Sequence, residues 1–254
     1  MNKELIILTL TTTPNRLMES KIGWGVRPSI ENLLNLSYVN YEIHFNIPFI
    51  NKKSKQEYII PEWLSDYEKN NEKLKIFRTE DYGSITKLVP TIERIINTEQ
   101  ILITVDDDLI YHDDFIEYHL LKRKEYEDYA IGFAGIGSIN GDCHFCTTLE
   151  KDTRVKILEG YKTISYKRKF FEDDFKDFVI GFWNDDMIIS AYLGMKNIKK
   201  ISVSYDKDTI FNPIVESYPI IKHISNEHDG CWWFRNENIP DNHEKYYKLG
   251  YLER

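Results

Sequence analysis

Ile101-Leu102-Ile103-Thr104-Val105-Asp106-Asp107-Asp108 is the stretch on which the reading of this chain turns. Ile101 to Val105, all aliphatic or β-branched, read as a strand buried on both faces. The three carboxylates behind them cannot extend its core, because burying unpaired charge is too costly. They must meet water or a cation. In an open α/β sheet, ligands bind at the carboxyl ends of the strands. In extended backbone, side chains at i and i+2 share a side. Asp106 and Asp108 are therefore expected together and Asp107 away. That would make an all-oxygen site suited to a hard divalent ion, Mn²⁺ or Mg²⁺, of the kind that holds a diphosphate. The triplet also reads as a solvated loop, or as the acidic start of a following helix.

Upstream, Leu5 to Thr11 reads as a first buried strand, followed by a helix over Pro28 to Leu36. Tyr41 to Ile47 alternates as a second strand, Asn51 to Asn71 is a polar loop with a short helix, and Leu74 to Arg78 is a third strand. Ile85, Leu88, Val89, Ile92, Ile95 and Ile96 follow helical spacing over Ser84 to Asn97, with Pro90 expected to kink that helix or mark its start. Strand and helix alternate up to the triplet, which predicts a mostly parallel sheet covered on both faces. Downstream, His112 to Tyr129 reads as a helix and Ile131 to Ile139 as one Gly-rich strand. Strand-like pieces follow at Val155 to Leu158 and Thr163 to Tyr166. Asp185 to Leu193 reads as a helix capped by Gly194, and Ile198 to Ser204 as a further strand. The tail from Asn226 is polar and aromatic and is expected to wrap over one face.

The 254 residues fit one large domain, and 42% hydrophobic content supports a substantial core. The 17 tyrosines suggest a surface that also binds something flat and polar. A net charge of -8 disfavours nucleic acid as a partner, with Lys167-Arg168-Lys169 a local exception that reads as a solvated face. No stretch reaches transmembrane length, and Leu5 to Leu10 is too short and lacks the cleavage pattern of a signal peptide. Three cysteines argue against a disulfide framework and fit a reducing compartment. The expected location is cytoplasmic, with peripheral membrane association left open. Cys143-His144-Phe145-Cys146 lacks the second close pair of a structural zinc site; His228 and Cys231 lie far downstream.

Four segments carry the candidate chemistry. Thr11-Thr12-Thr13-Pro14-Asn15-Arg16 offers hydroxyls and a guanidinium at a strand end, for a nucleotide's base, ribose or phosphate, or simply a turn with a helix cap. In Asp81-Tyr82-Gly83-Ser84-Ile85-Thr86-Lys87, Gly83 permits a tight turn, and Lys87 can reach a phosphate or the acidic cluster, or form a plain ion pair. The triplet is the third. In the fourth, Trp183-Asn184-Asp185-Asp186, the acids read as caps at a helix start or as a general base behind an aromatic face for a sugar.

In order and spacing these segments resemble the GT-A-fold glycosyltransferases of the small bacterial or viral polysaccharide type. The resemblance covers about Leu5 to Ser204. It rests on Thr11 to Arg16, on Asp81, Gly83 and Lys87, on Asp106 to Asp108 as a DxD motif, and on Asp185-Asp186. Glu159-Gly160-Tyr161 to Tyr166-Lys167-Arg168 is similar to the loop and strand beneath the acceptor in that family; Cys143 to Lys151 matches nothing in it. The resemblance implies an α/β GT-A fold, a Rossmann-like and mostly parallel central sheet sandwiched by helices, with a small antiparallel acceptor-side subregion. It implies a single domain over residues 1–254, divided into a nucleotide-binding half (1–108), an acceptor-side half (109–225) and a C-terminal tail (226–254). The implied reaction moves a sugar from a nucleotide diphosphate sugar, UDP-sugar favoured, to a hydroxyl of a glycan or glycolipid.

The same resemblance assigns donor binding to Thr11, Thr12, Thr13, Arg16, Asp81, Gly83, Lys87, Asp106 and Asp107. Mn²⁺ or Mg²⁺ would sit on Asp108 and Asp106, with His223 preferred over His228 as a late ligand. Asp186 would be the inverting base, with Asp185 as substitute, and Trp183, Trp232 and Trp233 an acceptor platform. A nucleotidyltransferase is the nearest competitor, but Thr11 to Arg16 lacks the glycines of its phosphate loop. A glycoside hydrolase would need two carboxylates flanking a cleft, Asp108 and Asp186 being the available pair. A carbohydrate-binding protein that kept the fold without catalysis is the reading from another class.

Overall fold

The computed structural model describes residues 4–18, 25–138, 151–179, 184–205 and 214–217. In chain order the elements are β1 (Ile6–Leu10), α1 (Pro14–Leu17), α2 (Arg27–Leu34), β2 (Tyr41–Pro48), α3 (Glu62–Asn70), β3 (Leu74–Thr79), α4 (Val89–Arg94), β4 (Ile101–Thr104) and β5 (Leu109–Tyr111). There follow α5 (Phe115–Glu125), β6 (Tyr129–Gly132), β7 (Gly135–Ser138), β8 (Thr153–Leu158), β9 (Ile164–Lys167), α6 (Phe175–Phe178), α7 (Asp185–Met195), β10 (Lys199–Ser202) and β11 (Ile214–Ser217). Short 3₁₀ turns lie at Ile85–Lys87, Gly160–Lys162 and Arg168–Phe170.

The fold is mixed α/β around a nine-stranded sheet of order β3-β2-β1-β4-β9-β6-β10-β8-β7; β5 and β11 form a separate antiparallel pair. Residue alternation explains why both faces of the sheet are covered. In β1, Ile6, Leu8 and Leu10 enter one core with Ile30 and Leu33 of α2, Leu64 of α3 and Phe115 of α5. Ile7 enters the other, with Val89 and Ile92 of α4 and Ile188 and Tyr192 of α7. β4 divides the same way, Ile101 and Ile103 to the first core and Leu102 to the second.

The expectation of a mostly parallel sheet holds only for β3, β2, β1 and β4. Beyond β4, β9 runs antiparallel to both β4 and β6, β8 runs antiparallel to β10 and β7, and only β10 and β6 pair in parallel. The helices that make parallel crossovers are concentrated before the triplet, so the later strands enter the sheet in both directions.

Four local expectations also change. The helix over Ser84 to Asn97 is broken: residues Ile85–Lys87 form a 3₁₀ turn, and α4 starts at Val89 with Pro90 in its first turn, where proline's missing N–H costs nothing. The helix expected from His112 is shorter and is preceded by β5. The single Gly-rich strand is two, β6 and β7, which join different parts of the sheet. Gly194 does not cap α7; it lies inside the last turn, and Asn197 takes the left-handed backbone at φ 56°, which asparagine tolerates.

Candidate active site

The parallel pairing of β1 with β4 sets Leu8 opposite Ile103 and Thr9 opposite Thr104. It therefore brings Thr11–Arg16 alongside Asp106–Asp108 at the carboxyl end of the sheet. Thr12 Oγ1 donates to Asp107 Oδ2 at 2.5 Å. Arg16, carried on α1, bonds Asp107 through Nη1 and Asp108 Oδ2 through Nη2, the latter at 3.0 Å. Ser29 Oγ of α2 donates to the Asp107 carbonyl at 2.9 Å.

Asp106 faces another partner: Lys87 Nζ lies 2.5 Å from Asp106 Oδ1 and 2.8 Å from Asp185 Oδ2. The Tyr111 hydroxyl accepts the Asp106 N–H at 2.7 Å. The expectation that Asp106 and Asp108 share a side is thus corrected. β4 ends at Thr104, and Asp107-Asp108 form a turn into β5. Two-residue alternation does not survive a turn, so Asp107 and Asp108 share Arg16 while Asp106 meets Lys87.

Lys87 joins three of the four segments. Its side chain is 8% exposed, and its placement follows from the 3₁₀ break at Leu88. Asn46 of β2 secures that turn: its amide donates to the Lys87 carbonyl at 3.1 Å, to Thr91 Oγ1 at 2.9 Å and to Thr9 Oγ1 at 3.2 Å, and accepts from Arg94 at 2.7 Å. Burial alone would depress the Lys87 ammonium, but Asp106, Asp185 and Asp186 raise its pKa well above the ordinary lysine value. Burial would raise Asp185, yet Lys87 holds it below the ordinary range. Asp108 is pushed up to about 6, by burial first and by Asp107 and Asp106 after it, with Arg16 pulling the other way.

The acid pair opens α7, whose N-cap Asn184 accepts the Asp186 N–H at 2.9 Å; carboxylates in a first helical turn are favoured by the helix dipole. Asp186 Oδ1 accepts the Gly160 N–H at 2.8 Å. A Cβ on Gly160 would lie 2.9 Å from that oxygen, so a larger residue there would push the Asp186 carboxylate away.

Other candidates have structural work. Both Asp81 carboxylate oxygens accept backbone N–H groups, from Gly83 at 2.8 Å and Lys52 at 2.7 Å, and Gly83 has φ 68°. Thr11 Oγ1 donates to the Asn46 carbonyl at 2.8 Å, and Thr13 caps α1. Trp183, Trp232, Trp233, His223 and His228 lie outside the described residues, as do Cys143, Cys146 and Cys231. Among the described residues no group of three or more His, Cys, Asp or Glu side chains is placed to hold a metal by itself, and no helix is long and apolar enough to cross a membrane.

Reading the sequence alone missed Ser29, Asn46, Tyr111, His119 and Thr163, because none stands in a motif and each matters only through a partner far along the chain. Gly160 lay in a stretch noted for the loop beneath the acceptor, where a glycine just ahead of a strand was the available signal.

No family model matches the chain, and no curated protein does. Among solved structures, a crystal structure of S. aureus TarS residues 1–349 is 10% identical with TM-score 0.46, covering 79% of this chain and 58% of that one. A second S. aureus TarS structure is 12% identical with TM-score 0.48, covering 81% and 36%. The chain therefore spans little more than half of one and about a third of the other. A crystal structure of 4-diphosphocytidyl-2C-methyl-D-erythritol synthase is 5% identical with TM-score 0.50, over 89% of this chain and 99% of that one. That likeness is one of fold.

Proposed function

We propose that this chain is a glycosyltransferase that moves a sugar from a nucleotide diphosphate sugar, a UDP-sugar favoured, to a hydroxyl of a glycan or glycolipid with inversion. The observation that carries the reading is Lys87, buried between Asp106 of the triplet and Asp185 of the acid pair. A single cation there holds a donor-side acidic cluster close to an acceptor-side one, and transfer between two bound substrates depends on such proximity.

In this reading the acceptor oxygen attacks the sugar's anomeric carbon as the bond from that carbon to the diphosphate oxygen breaks. The acceptor proton passes to Asp186, and the electron pair leaves with the nucleoside diphosphate. Asp186 suits the base better than Asp185. Asp185 is held low by an ammonium, and a carboxylate held low is a weak base. Asp186 also feels that ammonium's charge, and its Oδ1 accepts the Gly160 N–H. Arg16 and Lys87 supply positive charge beside the departing diphosphate. Thr12 and Arg16 orient Asp107 and, with it, the loop that carries Asp106 and Asp108.

The donor set fits a hard divalent ion. Asp108, buried among like charges and pushed up to about 6, is a carboxylate that a further cation would stabilise. Asp108 would hold Mn²⁺ or Mg²⁺ with the donor's phosphate oxygens, and Asp106 would join it only by leaving Lys87, since such ions commonly take one or two carboxylates plus substrate phosphates. When bound, the ion neutralises charge on the leaving diphosphate.

Nucleotidyl transfer is the second reading, because the fold is also that of the diphosphocytidyl synthase. The two differ in product. Incubating the full chain with UDP-sugars, Mn²⁺ and glycan acceptors should release UDP; turnover of nucleoside triphosphates with release of pyrophosphate would replace glycosyl transfer by nucleotidyl transfer. Sugar binding with neither product would favour a non-catalytic role.

A further inference from the structure

Among the described residues, Lys55, Thr163 and Asn197 are the non-glycine positions with positive φ. Lys55 and Asn197 are exposed, whereas Thr163 is fully buried. At φ 68°, ψ 144°, Thr163 occupies a region that a β-branched side chain strongly disfavours, because its Cβ crowds the backbone. Such a conformation persists only where the surroundings over-determine it, and it gathers at functional sites.

Two contacts hold Thr163. Its N–H donates to the Gly160 carbonyl at 2.9 Å, closing the Gly160–Lys162 turn. Its Oγ1 shares a 2.7 Å hydrogen bond with His119 Nε2. His119 comes from α5 and is fully buried, packed edge-on against Phe133 with ring centroids 4.5 Å apart. Burial, with Arg123 nearby, keeps the imidazole neutral far below its usual titration range, so mild acid leaves this bond unchanged. On the other side of the turn, the Gly160 N–H meets Asp186 Oδ1 at 2.8 Å, where a Cβ on Gly160 would lie 2.9 Å from the same oxygen.

We propose that His119 is a positioning residue: its bond to Thr163 holds the left-handed backbone there, and so holds the Gly160–Lys162 turn where the Gly160 N–H meets Asp186. Released from His119, Thr163 relaxes to negative φ, the turn shifts and Asp186 loses the Gly160 N–H. The proposal deepens the glycosyl-transfer reading and rests on it only for the effect on turnover.

The test measures hydrogen exchange at the Gly160 amide and steady-state transfer kinetics on the same full-length variants. His119→Ala should speed Gly160 exchange at least about tenfold. It should lower kcat about a hundredfold, as a displaced catalytic group does, with the donor KM little changed. Adding Thr163→Gly to His119→Ala should restore both, because glycine takes positive φ without an anchor. Loss of packing around His119 would not be rescued this way. Should His119→Ala fail to fold, two single variants decide, since each removes the hydroxyl. Thr163→Val keeps the bulk and the strain and should reproduce the loss, whereas Thr163→Gly should keep exchange and turnover near wild type. Unchanged Gly160 exchange in Thr163→Val, equal loss in Thr163→Val and Thr163→Gly, or a double variant that stays impaired would overturn the proposal. A wild-type chain without transferase activity counts against the glycosyl-transfer reading alone, because the exchange measurement decides the positioning without turnover.

Discussion

At the scale of single residues, the site is a contest between burial and charge. Asp108 has an ordinary value of 3.8 and is pushed up to about 6. Between those values the folded chain binds more protons at this carboxyl than the unfolded chain. Its contribution to stability therefore falls as pH rises through the window and stays lost above it. Asp108→Asn removes the ionisation. It should raise stability at pH 8 by on the order of 1–3 kcal/mol and change little at pH 4, while metal-dependent UDP binding disappears. Melts at both pH values and calorimetric titration of UDP with Mn²⁺ check this; intact metal-dependent binding would remove Asp108 from the ion's ligands. Asp186→Asn is nearly isosteric and should leave donor binding close to normal while cutting transfer by at least about a hundredfold. Undiminished transfer in both Asp186→Asn and Asp185→Asn would refute the assignment of the base to this pair.

At the scale of elements, the break between the 3₁₀ turn and α4 matters most. Apolar spacing over Ser84 to Asn97 was legible as a helix, and Pro90 as its kink or start. The reason the break lands at Leu88 was not, because it lies in β1 and β2. Asn46 and Thr9 both donate to the Lys87 carbonyl from those strands. Removing Asn46 strands several buried partners, each costing about 1–3 kcal/mol when left unsatisfied. Asn46→Ala should therefore cost roughly 2–4 kcal/mol, read as a lowered denaturant midpoint, and should weaken transfer through Lys87. A loss within about 0.5 kcal/mol, the size of an ordinary surface change, would show the network to be dispensable. The division of the Gly-rich run into β6 and β7 was likewise illegible: only the sheet shows that Gly135 faces Val155 Cγ2, with 2.8 Å to a Cβ built on it.

At the scale of the whole molecule, a donor and ion that bind only the folded chain must stabilise it, by about 2.7 kcal/mol at a hundred times Kd. UDP with Mn²⁺ should therefore raise Tm by several degrees, chelator should abolish the shift, and equal shifts with and without chelator would argue against an ion held by the triplet. By itself the sequence determined that β1 and β4 are buried strands, that acids follow β4, and that Thr11–Arg16 and Asp185-Asp186 stand at element ends. Periodicity and the cost of burying charge are local, and they can be read from neighbours in the chain. Only the tertiary structure decided that Lys87 joins Asp106 to Asp185, that Asp108 turns to Arg16, that the later sheet is mixed, and that His119 reaches Thr163. Each of these depends on strand order and on contacts between residues far apart in sequence, which no local pattern encodes.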